Sequence, residues 1–271
     1  MSDNSPDALT DSHCHLNFAA FNGDLDAVLE RAADAGVQRF IVPAIDLETC
    51  AAVQILADHY PGVYAAAGIH PNSTAAFTPV DIVELDVLLS TGAFVAVGEI
   101  GLDNYWHDSP PDVQTRALEA QLDLAARHQL PVIIHNRDAS EDVMAILERW
   151  SNGLSGDLKN RPGVLHSFSG SRAIAERALA AGFYLGFTGP ITFRNADETR
   201  SVAAMVPLDR LLIETDSPFL APAPHRGKRN EPAYVRYVAE RLALLKGISL
   251  AELAASTTAN AERLFRLPVS Q

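Results

Sequence analysis

Short, uninterrupted apolar runs alternate along this chain with longer stretches in which apolar side chains recur every three or four residues. Runs of the first kind suit strands buried on both faces of a parallel sheet, and stretches of the second kind suit amphipathic helices that cover it. The strand runs are Ala8–Thr10, Arg39–Ile45, Val63–Ile69, Phe94–Gly98, Pro131–Ile134, Gly163–Leu165, Phe183–Phe187 and Leu211–Thr215. Helical spacing marks Asp24–Ala35, with Gly36 as its stop, then Leu47–His59 and a weaker stretch over Val80–Ser90. Further helices are predicted from Pro111 to Gln129 and over Ser140–Trp150, Ser171–Ala181, Asp197–Met205, Glu231–Lys246 and Leu250–Phe265. Ser151–Arg161, rich in Gly, Asn and Ser, reads as a surface insertion, and Met1–Asp7 as a frayed polar tail.

Eight strands in alternation with helices fit a single (β/α)8 barrel over residues 1–271, since such barrels of ~250 residues form one domain. A doubly wound open sheet would more often carry a Gly-rich phosphate loop after its first strand. Here that position holds Asp11-Ser12-His13-Cys14-His15.

In a barrel the C-terminal ends of all strands meet at one rim, which is where active sites form. The residues that follow or end the strands are His13 and His15, His70, Glu99, His135, His166 and Asp216. Residues two apart in an extended segment project to the same side, so His13 and His15 offer two imidazoles to one point. Imidazoles and carboxylates drawn to one cup from many strand ends are the donor set of a metal centre. The set exceeds what one catalytic zinc takes from protein, so two divalent ions are expected, with Glu99 as the carboxylate between them. A carboxylated lysine cannot serve as the bridge, because Lys159, Lys228 and Lys246 all lie in loops or at helix ends. Three readings stand open for His70, which precedes Pro71: ligand, substrate contact or turn residue. His59, His107 and His128 read as solvated or helix-end residues; His225 is ambiguous.

Composition narrows the picture. A hydrophobic content of 48% supports a large core, and no run of ~18 apolar residues suggests a membrane span. Cys14 and Cys50 stand far apart with no paired motif, which argues against a disulfide framework and for a reducing cytoplasm. Net charge is −13, from 34 acidic and 21 basic residues, so a broad basic surface for coating duplex nucleic acid is excluded. A pocket whose bound cations meet a phosphodiester is not excluded.

The motifs carry a family resemblance. Asp-Ser-His-Cys-His-Leu at 11–16, Gly-Ile-His-Pro at 68–71 and Gly-Glu-Ile-Gly-Leu-Asp at 98–103 resemble those of the TatD family of metal-dependent deoxyribonucleases. So do His-Asn-Arg-Asp-Ala at 135–139, His-Ser-Phe-Ser-Gly at 166–170, Glu-Thr-Asp-Ser-Pro at 214–218 and Arg-Gly-Lys-Arg-Asn-Glu-Pro at 226–232. The resemblance implies a barrel hydrolase with two metals and 3′–5′ exonuclease or endonuclease action on DNA. Carried over motif by motif, the metal ligands are His13, His15, Glu99, His135, His166 and Asp216. Asn104 and Trp106 depart from the family's usual Asp or Tyr, and 151–161 looks longer than usual, which touches the cleft and not the metal centre.

The expected chemistry is attack of a metal-activated water on phosphorus, with Asp216 and Glu99 as catalytic residues and Asp216 as proton acceptor. His70, Arg137 and Arg229 are the expected substrate contacts; a helix-cap ion pair is the bland alternative for Arg137. Arg226, Lys228 and Arg229 form a dense basic cluster. Tyr105 and Trp106 either stack on a base or plug their loop. Asp103 and Glu214 are candidates to orient imidazoles. Ligand type favours Zn or Mn, and the resemblance implies Mg. The expected partner is single-stranded DNA or DNA 3′ ends, acted on by a monomer. The competing reading is a hydrolase of the same barrel type acting on a small ester or amide.

Overall fold

The computed structural model describes residues 8–269, so the tail expected over 1–7 lies outside the described residues. Eight parallel strands follow one another in sequence order: β1 (Leu9–Asp11), β2 (Val37–Pro43), β3 (Val63–Ala67), β4 (Phe94–Asp103), β5 (Val132–Arg137), β6 (Gly163–Leu165), β7 (Tyr184–Phe187) and β8 (Leu211–Ile213). The ring closes where the Ser12 N–H donates to the Ile213 carbonyl at 3.0 Å and Cys14 bridges Ser217 in parallel. Helices alternate with the strands: α1 (Leu25–Asp34), α2 (Leu47–His59), α3 (Pro79–Ser90), α4 (Pro111–His128), α5 (Ser140–Gly153), α6 (Arg172–Ala180), α7 (Asp197–Met205) and α8 (Val235–Lys246), followed by α9 (Leu250–Phe265). The architecture is a single-domain (β/α)8 barrel, as the alternation predicts.

The uninterrupted apolar runs have a direct cause. One set of strand side chains, among them Val42, Val97, Ile134, Leu185 and Ile213, packs outward against helix residues such as Leu118, Leu147 and Leu242. Their sequence neighbours Ile41, Ala66, Ala96, Ile133, Val164, Tyr184 and Leu212 form a separate cluster with Ala261, Leu264 and Phe265 of α9 and with Leu267. Strands β2 to β8 thus pack apolar side chains on both faces, and the end of α9 stoppers the barrel interior.

Helix ends follow local chemistry. Asp46–Thr49, Thr78–Asp81 and Ser249–Glu252 form reciprocal caps at the starts of α2, α3 and α9. Gly36, at φ +90°, ends α1 where a side chain would be strained.

Three segments differ from the sequence reading. β4 runs through Gly98 to Asp103, because Ile100–Asp103 pair with Ile134–Arg137 after a register shift between Val97 and Ile100. Gly101, at φ +152°, makes this approach possible: a Cβ there would lie 1.9 Å from the His135 carbonyl oxygen. The helix predicted from Glu231 begins as a 3-10 turn at Pro232–Tyr234, since Glu231 before a proline is held extended. Finally, 151–161 is not a loose surface insertion. Leu158 is fully buried in a 3-10 turn, and the buried Arg161 donates to the carbonyls of Leu264 and Gln129, both at 3.0 Å.

Candidate metal centre

Glu99 sits at the register shift of β4, and that shift explains its placement. A bulged residue is re-aimed relative to its neighbours, and the Glu99 N–H still finds the Ala44 carbonyl at 3.0 Å. Its carboxylate lies buried at the centre of the rim, and its two oxygens face different partners. Oε1 is 2.8 Å from His135 Nδ1, 2.8 Å from His166 Nε2 and 3.6 Å from His70 Nε2. Oε2 is 3.5 Å from His13 Nε2 and 3.7 Å from His15 Nε2. Asp216 Oδ1 completes this second side, 3.6 Å from His13 Nε2 and 3.5 Å from His15 Nε2. The Nε2 atoms of His13 and His15 are 3.2 Å apart, so these two imidazoles do converge on one point.

The sequence-predicted rim residues are thus brought together: His13, His15, His70, Glu99, His135, His166 and Asp216. His70 combines two of its open readings. Its Nδ1 accepts the Asn72 N–H at 3.1 Å and holds the turn, which leaves Nε2 aimed at Glu99. Four residues lining the rim cavity take the left-handed backbone conformation: Asp138 at φ +54°, Ser167 at φ +45°, Asp216 at φ +57° and Leu220 at φ +53°. Such conformations persist in non-glycine residues where the surroundings over-determine them. For Asp216 the surroundings include an N–H donated to the His13 carbonyl at 2.9 Å.

Around this ring stands a second layer. Asp103 Oδ2 is 3.0 Å from His135 Nε2, and its Oδ1 accepts the N–H groups of Tyr105 and Trp106, both at 2.9 Å. Glu214, fully buried, accepts the Ser167 N–H and the Ser12 hydroxyl and lies 3.8 Å from His166 Nδ1. Asp11 was not singled out from sequence, yet it ties β1 to the end of β8. Its carboxylate accepts the Thr215 hydroxyl at 2.5 Å, the Thr215 N–H at 2.9 Å and the His13 N–H at 3.3 Å. Its position two residues before His13 was the available signal.

Burial and charge divide the protonation states. Burial, aided by the neighbouring His166, lowers His13 to about 4, and burial lowers His70 to about 3, so both rings are neutral at pH 7. For His166 burial also pulls downward, but the Glu99 carboxylate outweighs it and carries the ring to about 9. His135 is raised in the same way, against burial, by Asp103 and Glu99. Burial pushes the Glu99 carboxyl up, and the imidazoles of His166, His70 and His13 more than reverse that and hold it well below the usual range. Asp216 is likewise kept low against burial, chiefly by His15 and His13. Burial raises Glu214 to about 7 and Asp11 to about 8.

These residues fit divalent cations. Ionised Glu99 and Asp216 are buried among imidazoles, and the ring contacts to them involve no lysine or arginine. Among the described residues, the Nδ1 atoms of His13, His15 and His166 have no hydrogen-bond partner. Nitrogen and carboxylate donors that close together suit a cation better than they suit one another. Ligand atoms close enough to share an ion occur as His13–His15–Asp216, His13–His166–Glu214 and His70–Glu99–His135.

The ring opens into a cavity of about 720 Å³. Phe18, Phe219 and Leu220 line one wall, Trp106 and Arg137 another. Sequence reasoning missed Phe18 and Phe219, whose rings meet edge to face at 5.9 Å, with Phe18 stacked on His15 at 4.6 Å. Among the described residues Arg137 has no ion-pair partner; its guanidinium lies 4.0 Å from the Tyr105 ring centroid and 5.7 Å from that of Trp106. Arg229, an expected substrate contact, is not brought to the cavity. It is held by Asp24 through two contacts of 2.7 Å, donates to the Ala20 carbonyl at 2.7 Å and lies over Phe21. His128 pairs with Asp86 at 2.6 Å, and His225 stacks on Tyr234 at 3.9 Å.

A barrel whose rim carries this donor ring defines a metal-dependent hydrolase acting on ester bonds. The model of the TatD related DNase family matches residues 10–266. The chain belongs to that family. It is 44% identical over 259 residues to the metal-dependent hydrolase YabD of Bacillus subtilis, covering 96% of this chain and 99% of that protein. It is 37% identical to the 3′-5′ ssDNA/RNA exonuclease TatD of Erwinia tasmaniensis, covering 93% of this chain and 98% of that one. The crystal structure of YjjV, a TatD homologue of Escherichia coli K12, superposes with a TM-score of 0.89 at 38% identity, over 96% of this chain and 98% of that one.

Proposed function

We propose that this protein hydrolyses phosphodiester bonds in single-stranded nucleic acid, working inward from 3′ ends with two divalent cations. The division of the Glu99 oxygens between two groups of imidazoles carries the reading. On it, His13, His15 and Asp216 would hold one ion and His135 and His166 the other, with the Glu99 carboxylate available to both and His70 close by. Such ions, when bound, polarise a phosphoryl oxygen and make water acidic enough to attack at neutral pH. Asp216, kept ionised, takes up the water's proton at a carboxylate oxygen. Arg137, in the cavity wall, offers two parallel N–H donors to a phosphate. The exposed Trp106 and Phe219 offer faces on which bases stack. A relative named as a 3′-5′ ssDNA/RNA exonuclease supports the same substrate class. Nitrogen-rich ligation favours Mn or Zn, and a site that also accepts Mg is expected. Two buried free thiols, Cys14 and Cys50, are in keeping with a reducing cytoplasm.

The test is a purified, metal-loaded sample assayed on 3′-labelled single-stranded DNA beside simple carboxylic esters and amides. Shortening of the DNA from its 3′ end is expected, abolished by chelation and restored by added metal. Turnover of esters or amides alone would replace this reading with the small-substrate hydrolase.

A further inference from the structure

Outside the cavity, one side of the rim carries cations that have no ionic partner among the described residues. The 3-10 turn Gly189–Thr192 lines the cavity through Pro190 and Ile191 and leads into Phe193 and the exposed Arg194. The segment after β8 also begins in the cavity wall, at Phe219 and Leu220, and then docks on that turn. The Ala223 N–H donates to the Thr192 hydroxyl at 2.9 Å, and the Arg226 guanidinium lies 4.6 Å from the Phe193 ring centroid. The Lys228 N–H returns to the His225 carbonyl at 3.0 Å, with the His225 ring stacked on Tyr234. Arg194, Arg226 and Lys228 are therefore presented from a fixed base on one flank of the mouth. All three are exposed, and among the described residues none forms an ion pair. The adjacent Arg229, by contrast, is turned away and neutralised by Asp24.

In a chain of net charge −13, acidic neighbours to pair with such cations are plentiful, and three cations held together unpaired repel one another. That arrangement is relieved by a polyanion with several charges. A small phosphodiester has one charge and is consumed inside the cavity. Elsewhere in the cavity wall stand Trp106 and Arg137, with Tyr105 edge to face against Trp106 and under the Arg137 guanidinium. We infer that Arg194, Arg226 and Lys228 form a ledge that carries backbone phosphates of the strand leaving the cavity, which is the part 5′ of the bond being cut. This rests on the nuclease reading above and adds to it a preference for chains over short diesters, supplied by phosphate contacts that read no sequence.

The test compares wild type with the triple variant Arg194→Gln/Arg226→Gln/Lys228→Gln, both metal-loaded. Substrates are a 3′-labelled single-stranded decamer and bis(p-nitrophenyl) phosphate, across a salt series. On the decamer, kcat/KM should fall roughly 10- to 100-fold at low salt, mainly through KM. The slope of log KM against log salt should shrink by about 2, three contacts at ~0.7 each for a single strand. The loss on the small diester should be at least several-fold smaller. Arg194→Lys/Arg226→Lys should recover most of the decamer activity, which a fold defect would not allow. Equal losses on both substrates, or an unchanged salt slope, would overturn the ledge. Wild type that turns over the diester but leaves the decamer intact would overturn the nuclease reading instead.

Discussion

Glu99→Gln is the change that most sharply separates the charge of the central carboxylate from its shape. The side chain keeps its volume, so the fold around the bulge of β4 has no steric reason to move. What vanishes is a negative charge whose Oε1 lies 2.8 Å from His166 Nε2. At an effective dielectric of about 20, unit charges at this range interact by roughly 6 kcal/mol, or about four pKa units. His166 stands at about 9 because that attraction overcomes burial. Without it burial remains, opposed only by Glu214 and Asp216, and the ring should titrate well below the ordinary 6.5. The assay is a pH titration of the histidine ring signals of metal-free protein by NMR. A second readout is calorimetric titration of metal at pH 7 in two buffers of different ionisation enthalpy. Wild type must shed the His166 proton when the ring coordinates, whereas Glu99→Gln should release fewer protons and bind far more weakly. A His166 that still titrates within a unit of 9 in the variant would refute the reasoning, because something other than Glu99 would then be holding the proton.

Three further outcomes follow. His166, Asp11 and Glu214 are all raised in the folded chain, to about 9, about 8 and about 7 from ordinary values of 6.5, 3.8 and 4.5, so each binds its proton more tightly folded than unfolded. Their contribution fades as pH rises through those values, so the Tm of metal-free protein should fall between pH 6.5 and 9, and metal should remove much of that fall. Gly186→Ala would put a Cβ 2.4 Å from the Glu214 carboxylate. It should destabilise by about 1–3 kcal/mol in chemical denaturation and weaken metal binding without touching any ligand. Leu158→Ala empties a fully buried position and should cost about 2–5 kcal/mol, where a loose surface insertion would register almost nothing.

Much of this architecture could be read from residue order, because a barrel translates sequence into place by a simple rule. Six of the eight strands carry an imidazole or carboxylate at the exit, and all exits share one rim. His13, Glu99, His135, His166 and Asp216 were found that way. The rule is silent on what happens within one residue's reach. It could not say that the two oxygens of Glu99 face different imidazoles, since that depends on a bulge whose register the apolar run does not encode. Nor could it separate Arg229 from Arg226, which share a loop and a charge; only the tertiary position of Asp24 on the far side of that loop decides between them. Leu158 was hidden for a related reason. Two leucines, Leu154 and Leu158, amid Gly, Asn and Lys are too few to mark an element, yet both are buried, and Arg161 anchors the segment to the carbonyls of Leu264 and Gln129.

Metal content and nuclease activity measured on the same samples test the central claim most directly. Dialysed protein should take up two divalent ions per chain and regain 3′-end cleavage of single-stranded DNA in step with loading. His13→Ala, His166→Ala and Asp216→Ala should each lose both together. Wild type that cleaves the strand fully after exhaustive chelation, or variants of these ligands that bind and cut as wild type does, would contradict the account.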